Sequence, residues 1–393
     1  MKILTKNNKV IMVDGQAIAA TGDSATSVEP KYINFYDYDG TILYSWTSAE
    51  LKVKTALPDL PSHAGLICEG WNWTLAALQE NNVPMNVGAM YVTDDNTTRV
   101  YIHLEEGRLS PMLGVCPNGT ATIDWGDGST TDTLTGTNTR AVKWTPTHNY
   151  AAPGDYMIKI SYTNKLGFSG SGSSNQNSYL LRYASGADVR NYVYQNAIKK
   201  IELGPNIDLR GGSFMFMRSL ESVTIPNTTT TEIGDTGFSR CSALKHVNIP
   251  SSIIRLKIRN FEQCTSLQSI SLPQSLVELQ NSGIFQMCLT LHSITLPPSL
   301  TTVVTTNVLS NLQSLTYFRV PLAFNNILAG AFQNCYALKT LDFTSFTSVP
   351  TLANTTALSN IPDDCEIRVP GSLLTEWKAA TNWVTYADKI VGV

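Results

Sequence analysis

Charge is what this 393-residue chain has least of: Asp, Glu, Lys and Arg make up 15% of it and sum to a net −3. An ordinary soluble domain carries about a quarter, and Ser, Thr and Asn fill the polar positions here instead. With no long basic run, the chain offers no electrostatic footprint for nucleic acid or for an anionic membrane. Long apolar runs are missing too. Nothing reaches the roughly 20 residues of a membrane-spanning helix, so no membrane insertion is expected. The start, MKILTKNNKVIMVDGQAIAA, interleaves Lys2, Lys6 and Lys9 with short apolar pieces and holds no secretory apolar core. A protein of this kind working outside a cell is expected to leave it by another route, such as lysis. Seven cysteines, an odd number, do not read as a disulfide framework. The five histidines (His63, His103, His148, His246 and His292) show no pair at metal-ligand spacing, and Asp124, Asp127 and Asp155 do not follow a calcium-loop pattern. No phosphate-cradling glycine loop, nucleophile–base arrangement or glycosidase carboxylate pair can be picked out. The chain is therefore read as non-enzymatic, with no cofactor and no metal.

What is present is an apolar fraction of 42%, enough for two to four domains at this length, and a repeat. FSRCSALKHVNIP at Phe238, FEQCTSLQSISLP at Phe261 and FQMCLTLHSITLP at Phe285 align without gaps. The frame extends back to Phe214 and Tyr192 and on to Leu309 and Phe332, in steps of 22 to 24 residues. Nine and eleven positions after each anchor stand apolar residues, such as Val247 and Ile249 or Phe318 and Val320, alternating with polar ones. That alternation makes each unit a short strand with one buried face, closed in most units by a proline that can end a strand at little cost. The anchor aromatic and the cysteine three residues later (Cys241, Cys264, Cys288, Cys335) are spaced like one face of a helical turn under the strand. One thiol per coil reads as core filling rather than as a metal ladder. An irregular eighth unit ends with Cys365, Ile367, Val369 and Pro370. Since a single unit cannot bury its apolar face, the units must stack.

These residues resemble the BspA-type leucine-rich repeat over 192–370, a family found in bacterial surface and phage-associated proteins, and the resemblance implies adhesion or recognition. Residues 371–393, with Trp377, Trp383 and Tyr386, look like the short amphipathic helix and cap that closes such arrays. Upstream, Trp125-Gly126-Asp127-Gly128 with His148, Tyr150, Pro153-Gly154 and Tyr156 is similar to the polycystic-kidney-disease (PKD) domain, which implies a β-sandwich spacer over 108–191, including a Gly/Ser-rich loop at 166–178. Asp127-Gly128 and Pro153-Gly154 read as tight turns beside alternating strands, and His148 as a packing residue.

Residues 30–107 form a separate small α+β unit in this reading. It has a hairpin turning at Asp39-Gly40, a second at Asp94-Asp95-Asn96, and helical pieces near 49–55 and 74–80. Residues 1–29 read as a β arm with turns at Asn7-Asn8 and Asp14-Gly15, suited to docking on a larger assembly. This front portion resembles segments of structural proteins of phages and prophages of gut bacteria. The expected fold is mainly β: a leucine-rich-repeat solenoid preceded by a PKD-like β-sandwich and a small α+β region.

One motif carries chemistry. Asp37-x-Asp39-Gly40-Thr41 copies the nucleophile motif of haloacid-dehalogenase-type phosphatases, but the flanking residues are hairpin-like and no α/β alternation follows, so a turn is the better reading. Binding is expected on the repeat strands instead, where positions eight and ten of each unit point away from the core: Lys200, Glu202, His246, Asn248, Tyr317, Arg319, Thr340 and Asp342. The sequence reading is a phage virion protein. It joins other virion proteins through its N-terminal region and binds a bacterial surface glycan or protein through the solenoid; self-association is compatible with it. The alternative is a bacterial cell-surface or secreted adhesin of the same repeat family.

Overall fold

The computed structural model describes residues 10–13, 16–19, 32–81, 83–137, 147–168, 180–183, 195–209, 214–280, 282–304 and 306–393. The turns expected at Asn7-Asn8 and Asp14-Gly15, most of the Gly/Ser-rich loop and the first repeat anchor, Tyr192, lie outside these residues. β1 (Val10–Val13) and β2 (Gln16–Ala19) pair antiparallel, with Val13 opposite Gln16.

The α+β unit follows. β3 (Tyr32–Tyr36) and β4 (Ile42–Thr47) form the expected hairpin around Asp39-Gly40. Thr47 then caps α1 (Ser48–Val53) in a reciprocal box with Glu50. β5 (Leu66–Trp71), α2 (Leu75–Asn81) and β6 (Met85–Thr93) complete a sheet of order β4-β3-β6-β5. Its separate core is built on Phe35, Trp46, Leu51, Trp73, Leu78 and Val87. The second hairpin expected here does not form. β6 pairs with β3 over Met85–Gly88 and with β5 over Ala89–Thr93, and the segment after the Thr93–Thr97 turn takes its partners elsewhere.

That segment, β7 (Thr98–Leu104), enters a different sheet. β8 (Pro111–Leu113), β9 (Val115–Asp124), β10 (Asp132–Thr137), β11 (Gly154–Tyr162), β12 (Lys165–Phe168) and β13 (Leu181–Tyr183) follow it, then β14 (Ile198–Glu202), β15 (Ile207–Asp208) and β16 (Ser222–Thr224). The sheet runs β15-β12-β9-β11-β7-β14-β16, with β10 on β9, while β8 and β13 pair separately. Expected boundaries at 107 and 191 therefore cut across one sheet, because β7 joins β11 to β14. Its apolar residues, Val100, Ile102, Ile123, Trp125, Ile158 and Ile160, share one continuous core with the repeats. His148 stacks on Trp125 at 4.8 Å and meets Asp127 Oδ2 at 2.7 Å, a packing role.

The repeat units stack through parallel strands. β14 pairs β16, His246–Asn248 pairs Ser269–Ser271, and Tyr317–Arg319, Thr340–Asp342, Glu366–Val369 and Ile390–Gly392 follow in register. A second parallel ladder, from Glu232–Ile233 to Thr302–Val303, runs along another side. Phe214, Phe238, Phe261 and Phe285 stack face to face at 4.9, 5.4 and 5.7 Å. The helical turn expected after each anchor is a tighter device. The residue two beyond the anchor (Phe216, Arg240, Gln263, Met287, Asn311, Asn334) has positive φ, which stops a helix. Its N–H reaches the next coil instead, as from Arg240 to Glu262 O at 2.7 Å and from Gln263 to Gln286 O at 2.8 Å. The cysteines tie coils the other way: Cys241, Cys264, Cys288 and Cys335 each donate S–H to a carbonyl one coil back, at 3.1 Å. At the C-terminus, Trp377 and Trp383 bury against Phe343, and the last strand, Ile390–Gly392, extends the ladder rather than only capping it.

Of the seven thiols, Cys68 alone is exposed and six are buried. Titration of the native chain with an aromatic disulfide reagent should modify one thiol, and denaturant should release the other six. Because burial and the Glu69 charge raise the Cys68 thiol, that one reaction should accelerate steeply above pH 8. Two or more fast thiols in the native chain would show that the coil interior is open.

Candidate binding face

The repeat strands present two outward columns. One runs Lys200, Ser222, His246, Ser269, Ser293, Tyr317, Thr340, Glu366; the other runs Glu202, Thr224, Asn248, Ser271, Thr295, Arg319, Asp342, Arg368. Strand pairing spaces neighbours in a column by about 4.8 Å. The sequence reading treats these columns as one solvent-facing surface. In the structure their first half is covered by the chain's own α+β unit.

The seal consists of side chains bonding to strand backbone. Asn72 Nδ2 donates to Ile249 O at 3.0 Å and Ser271 O at 3.3 Å, and Trp73 Nε1 to Leu272 O at 2.7 Å. Asn86 Nδ2 donates to Ile270 O at 3.2 Å. From the repeat side, Asn248 Nδ2 donates to Ala89 O at 3.0 Å and Tyr36 O at 3.4 Å. The Asn227 N–H reaches Glu69 Oε2 at 2.7 Å. Close approach depends on glycine: a Cβ on Gly88 would lie 2.4 Å from the Asn248 amide, and one on Gly40 2.7 Å from His246 Cβ. His246 itself stacks on Tyr36 at 4.4 Å.

Four of the eight expected binding residues are thereby withdrawn from solvent contact or tied into the junction. His246 and Asn248 are 2% and 3% exposed. Glu202, equally buried, accepts from Tyr101 Oη at 2.9 Å and pairs with Arg99 and Lys200 at 3.3 and 2.7 Å. Lys200 lies over the rings of Tyr38 and Tyr101. For His246 and Asn248 the cause is the docked unit, whereas Glu202 is held by Arg99 and Tyr101 of β7, and Lys200 lies between Tyr38 of the unit and Tyr101 of that strand. The acidic motif belongs to the same junction. Asp37 is 4% exposed and its Oδ2 meets His63 Nε2 at 2.8 Å. Asp39 accepts the Thr41 N–H to close the hairpin turn. Neither carboxylate closes a strand of a doubly wound sheet.

The other four, Tyr317, Arg319, Thr340 and Asp342, lie past the edge of the docked unit. Glu366 and Arg368 extend their columns; the same offset in the eighth unit would have found them. Tyr317 Oη donates to Asp342 Oδ2 at 2.7 Å. Burial works to raise the Asp342 carboxyl, but the Thr344 hydroxyl and N–H, Tyr317 and the Arg319 charge outweigh it and hold Asp342 below its ordinary value. Thr340 and Asp342 are largely shielded by their neighbours, while Tyr317, Arg319 and Arg368 are half-buried and Glu366 is exposed. Where the α+β unit ends, a cleft of roughly 240 Å³ opens between Asn81 and Val83 on one side and Leu296, Val320 and Leu322 on the other, with Arg319 and Ser345 on its lining. Sequence reasoning missed this cleft, because it needs two segments more than 200 residues apart. Among the described residues no group of three or more His, Cys, Asp or Glu is placed to hold a metal ion, and no helix is long and apolar enough to cross a membrane.

Three solved bacterial proteins are similar to part of the chain. The first is a leucine-rich-repeat protein of T. pallidum, 24% identical, covering 42% of this chain and 79% of that one, with TM-score 0.30. The second is a leucine-rich cell-surface protein of Faecalibacterium prausnitzii, 18% identical, covering 49% and 62%, with TM-score 0.31. The third is a leucine-rich-repeat protein of Bacteroides ovatus, 14% identical, covering 57% and 80%, with TM-score 0.27. No curated protein matches the chain. Residues 208–339 match the family described as "BspA type Leucine rich repeat region" in six copies. Residues 208–339, which hold most of the stacked units, are therefore similar to a BspA-type leucine-rich repeat region.

Proposed function

We propose that this is a non-enzymatic adhesion protein of a bacterial surface, built as a repeat solenoid that binds a protein or glycan through the uncovered strand columns. The observation that carries the reading is the BspA-type region at 208–339 continued by coils that the α+β unit does not cover, where Arg319 and Arg368 flank a shielded Asp342 in one column and Tyr317 and Glu366 flank a shielded Thr340 in the next. Extended faces of stacked repeats are a common recognition surface. The sheet over 98–168 acts as a PKD-like spacer continuous with the first coils. Nothing among the comparisons supports a virion location, and the repeat region favours the surface-adhesin alternative.

Protease shaving of intact producing cells is the test. Peptides from 317–368 should be released from the cell surface in amounts comparable to those of other surface proteins. Recovery of the chain only in density-purified phage particles, with none on washed cells, would overturn the surface reading in favour of a virion component.

A further inference from the structure

The cleft beside Arg319 has a composition that the rest of the face lacks. Its lining is aliphatic: Leu296, Leu300, Val320 and Leu322, with Val83 opposite. Leu322 is 60% exposed, a large apolar side chain at the mouth rather than in the core. No aromatic ring lines it, so it offers no platform for stacking a sugar face. One cation is present, Arg319, whose Nη2 donates to Ser345 Oγ at 2.6 Å. Among the described residues no carboxylate forms an ion pair with it. The nearest in register, Asp342, is engaged by Tyr317 and Thr344. A guanidinium has five donors in a planar fork suited to a carboxylate, and among the described residues Ser345 is the hydrogen-bond partner that Arg319 donates to.

Size narrows the ligand. Roughly 240 Å³ is below the range of sites that enclose a drug-sized molecule; it suits one aliphatic side chain. Arg319 on its lining shares a strand with Tyr317, so the uncovered columns adjoin the cleft along that flank, where a chain could continue outside it. An aliphatic pocket, a forked cation at its rim and an open flank are the parts needed to hold the last residue of a peptide.

We propose that this cleft captures the C-terminus of a partner polypeptide ending in Leu, Ile or Val, the side chain seated on Leu296, Val320 and Leu322 and the terminal carboxylate forked by Arg319. The proposal deepens the adhesion reading by naming the partner as a protein with an aliphatic free C-terminus.

The test uses the full chain and a fluorescein-labelled hexapeptide, Gly-Ser-Gly-Ser-Ala-Leu, followed by anisotropy. The free acid is expected to bind, and its C-terminal amide to bind at least tenfold more weakly. Arg319→Gln should remove the difference between acid and amide, and Leu322→Asp should abolish binding of both. Circular dichroism melts of the two variants, expected to match the parent, separate loss of the site from loss of the fold. No binding of the acid, equal binding of acid and amide, or an Arg319→Gln variant that still discriminates would overturn the proposal. So would N-acetylleucine binding as tightly as the hexapeptide, which would make the occupant a small acid. Failure here with surface shaving positive removes the cleft assignment alone; failure of shaving with peptide binding intact removes only the cellular location.

Discussion

A single methyl group on Gly88 is expected to lift the α+β unit off the repeat strands. The Cβ of Gly88→Ala would lie 2.4 Å from Asn248 Cγ and Oδ1 and 2.7 Å from its Cβ. Asn248 cannot step aside cheaply: it is 3% exposed, its Nδ2 serves Tyr36 O and Ala89 O, and its Oδ1 meets His246 Nε2 at 2.6 Å. Displacing it strips buried groups of their partners on both sides of the junction. At about 1–3 kcal/mol for each buried polar group left unpaired, the expected loss is on the order of 3–5 kcal/mol. Two measurements check it. Urea denaturation should show the lower midpoint, and the Trp73 indole proton, held by Leu272 O at 2.7 Å, should exchange much faster in the variant. Adding Asn248→Ala removes two of the three clashing atoms, so the double variant should be more stable than additivity predicts. An unchanged midpoint with a still-protected indole would mean that Gly88 and Asn248 do not face each other.

This junction also shows where the sequence was readable and where it was not. The repeat was legible because each coil buries its own positions: anchor, leucine and strand residues must be apolar whatever sits outside. The outward columns carry no such rule, and alternation says only that they leave the core. A second signal was nevertheless present. Outward positions from Ser222 to Thr295 are uncharged, mostly serine and threonine, and are flanked by Lys200 and Glu202 on one side and by Arg319, Asp342 and Arg368 on the other. Small neutral residues are what a docking surface needs, since they admit close approach and cost little to desolvate. The covered stretch could thus have been marked, though not what covers it. Sheet membership was hidden for a related reason. The pattern of β7 tells that one face is buried but not that its neighbours are β11 and β14, more than 50 and 90 residues further along. The cleft was hidden for the same reason, because Val83 and Leu322 meet only after the unit has docked.

Acid should loosen the same junction through His246. Asn248 spends its amide donors on Tyr36 O and Ala89 O, so its oxygen faces His246 and must accept from Nε2–H. The neutral ring then takes the Ser269 hydroxyl at Nδ1, at 2.6 Å. A second proton would have to go on Nδ1, where the hydroxyl can turn to accept it, but in a site only 2% exposed. Burial pushes the imidazole down to about 4, with the Asn248 bond and the Asp39 charge only partly opposing it. The folded value thus lies below the ordinary 6.5, so the unfolded chain binds the extra proton first. Stability from this group is complete above pH 6.5, falls as pH drops from there toward 4, and levels off below. The total loss is roughly 3 kcal/mol, with a limiting slope of about 1.4 kcal/mol per pH unit. Asp342, held below its ordinary carboxylate value, loses its contribution only at lower pH and does not share this window. Denaturation midpoints from pH 7.5 to 4.5 should therefore fall more steeply in the parent than in His246→Gln, the variant being less stable at neutral pH; the Glu69 carboxyl, which burial raises, tilts both curves the other way and cancels in the difference. Equal slopes in the two proteins would mean that His246 already titrates normally, and that the α+β unit leaves it open to solvent.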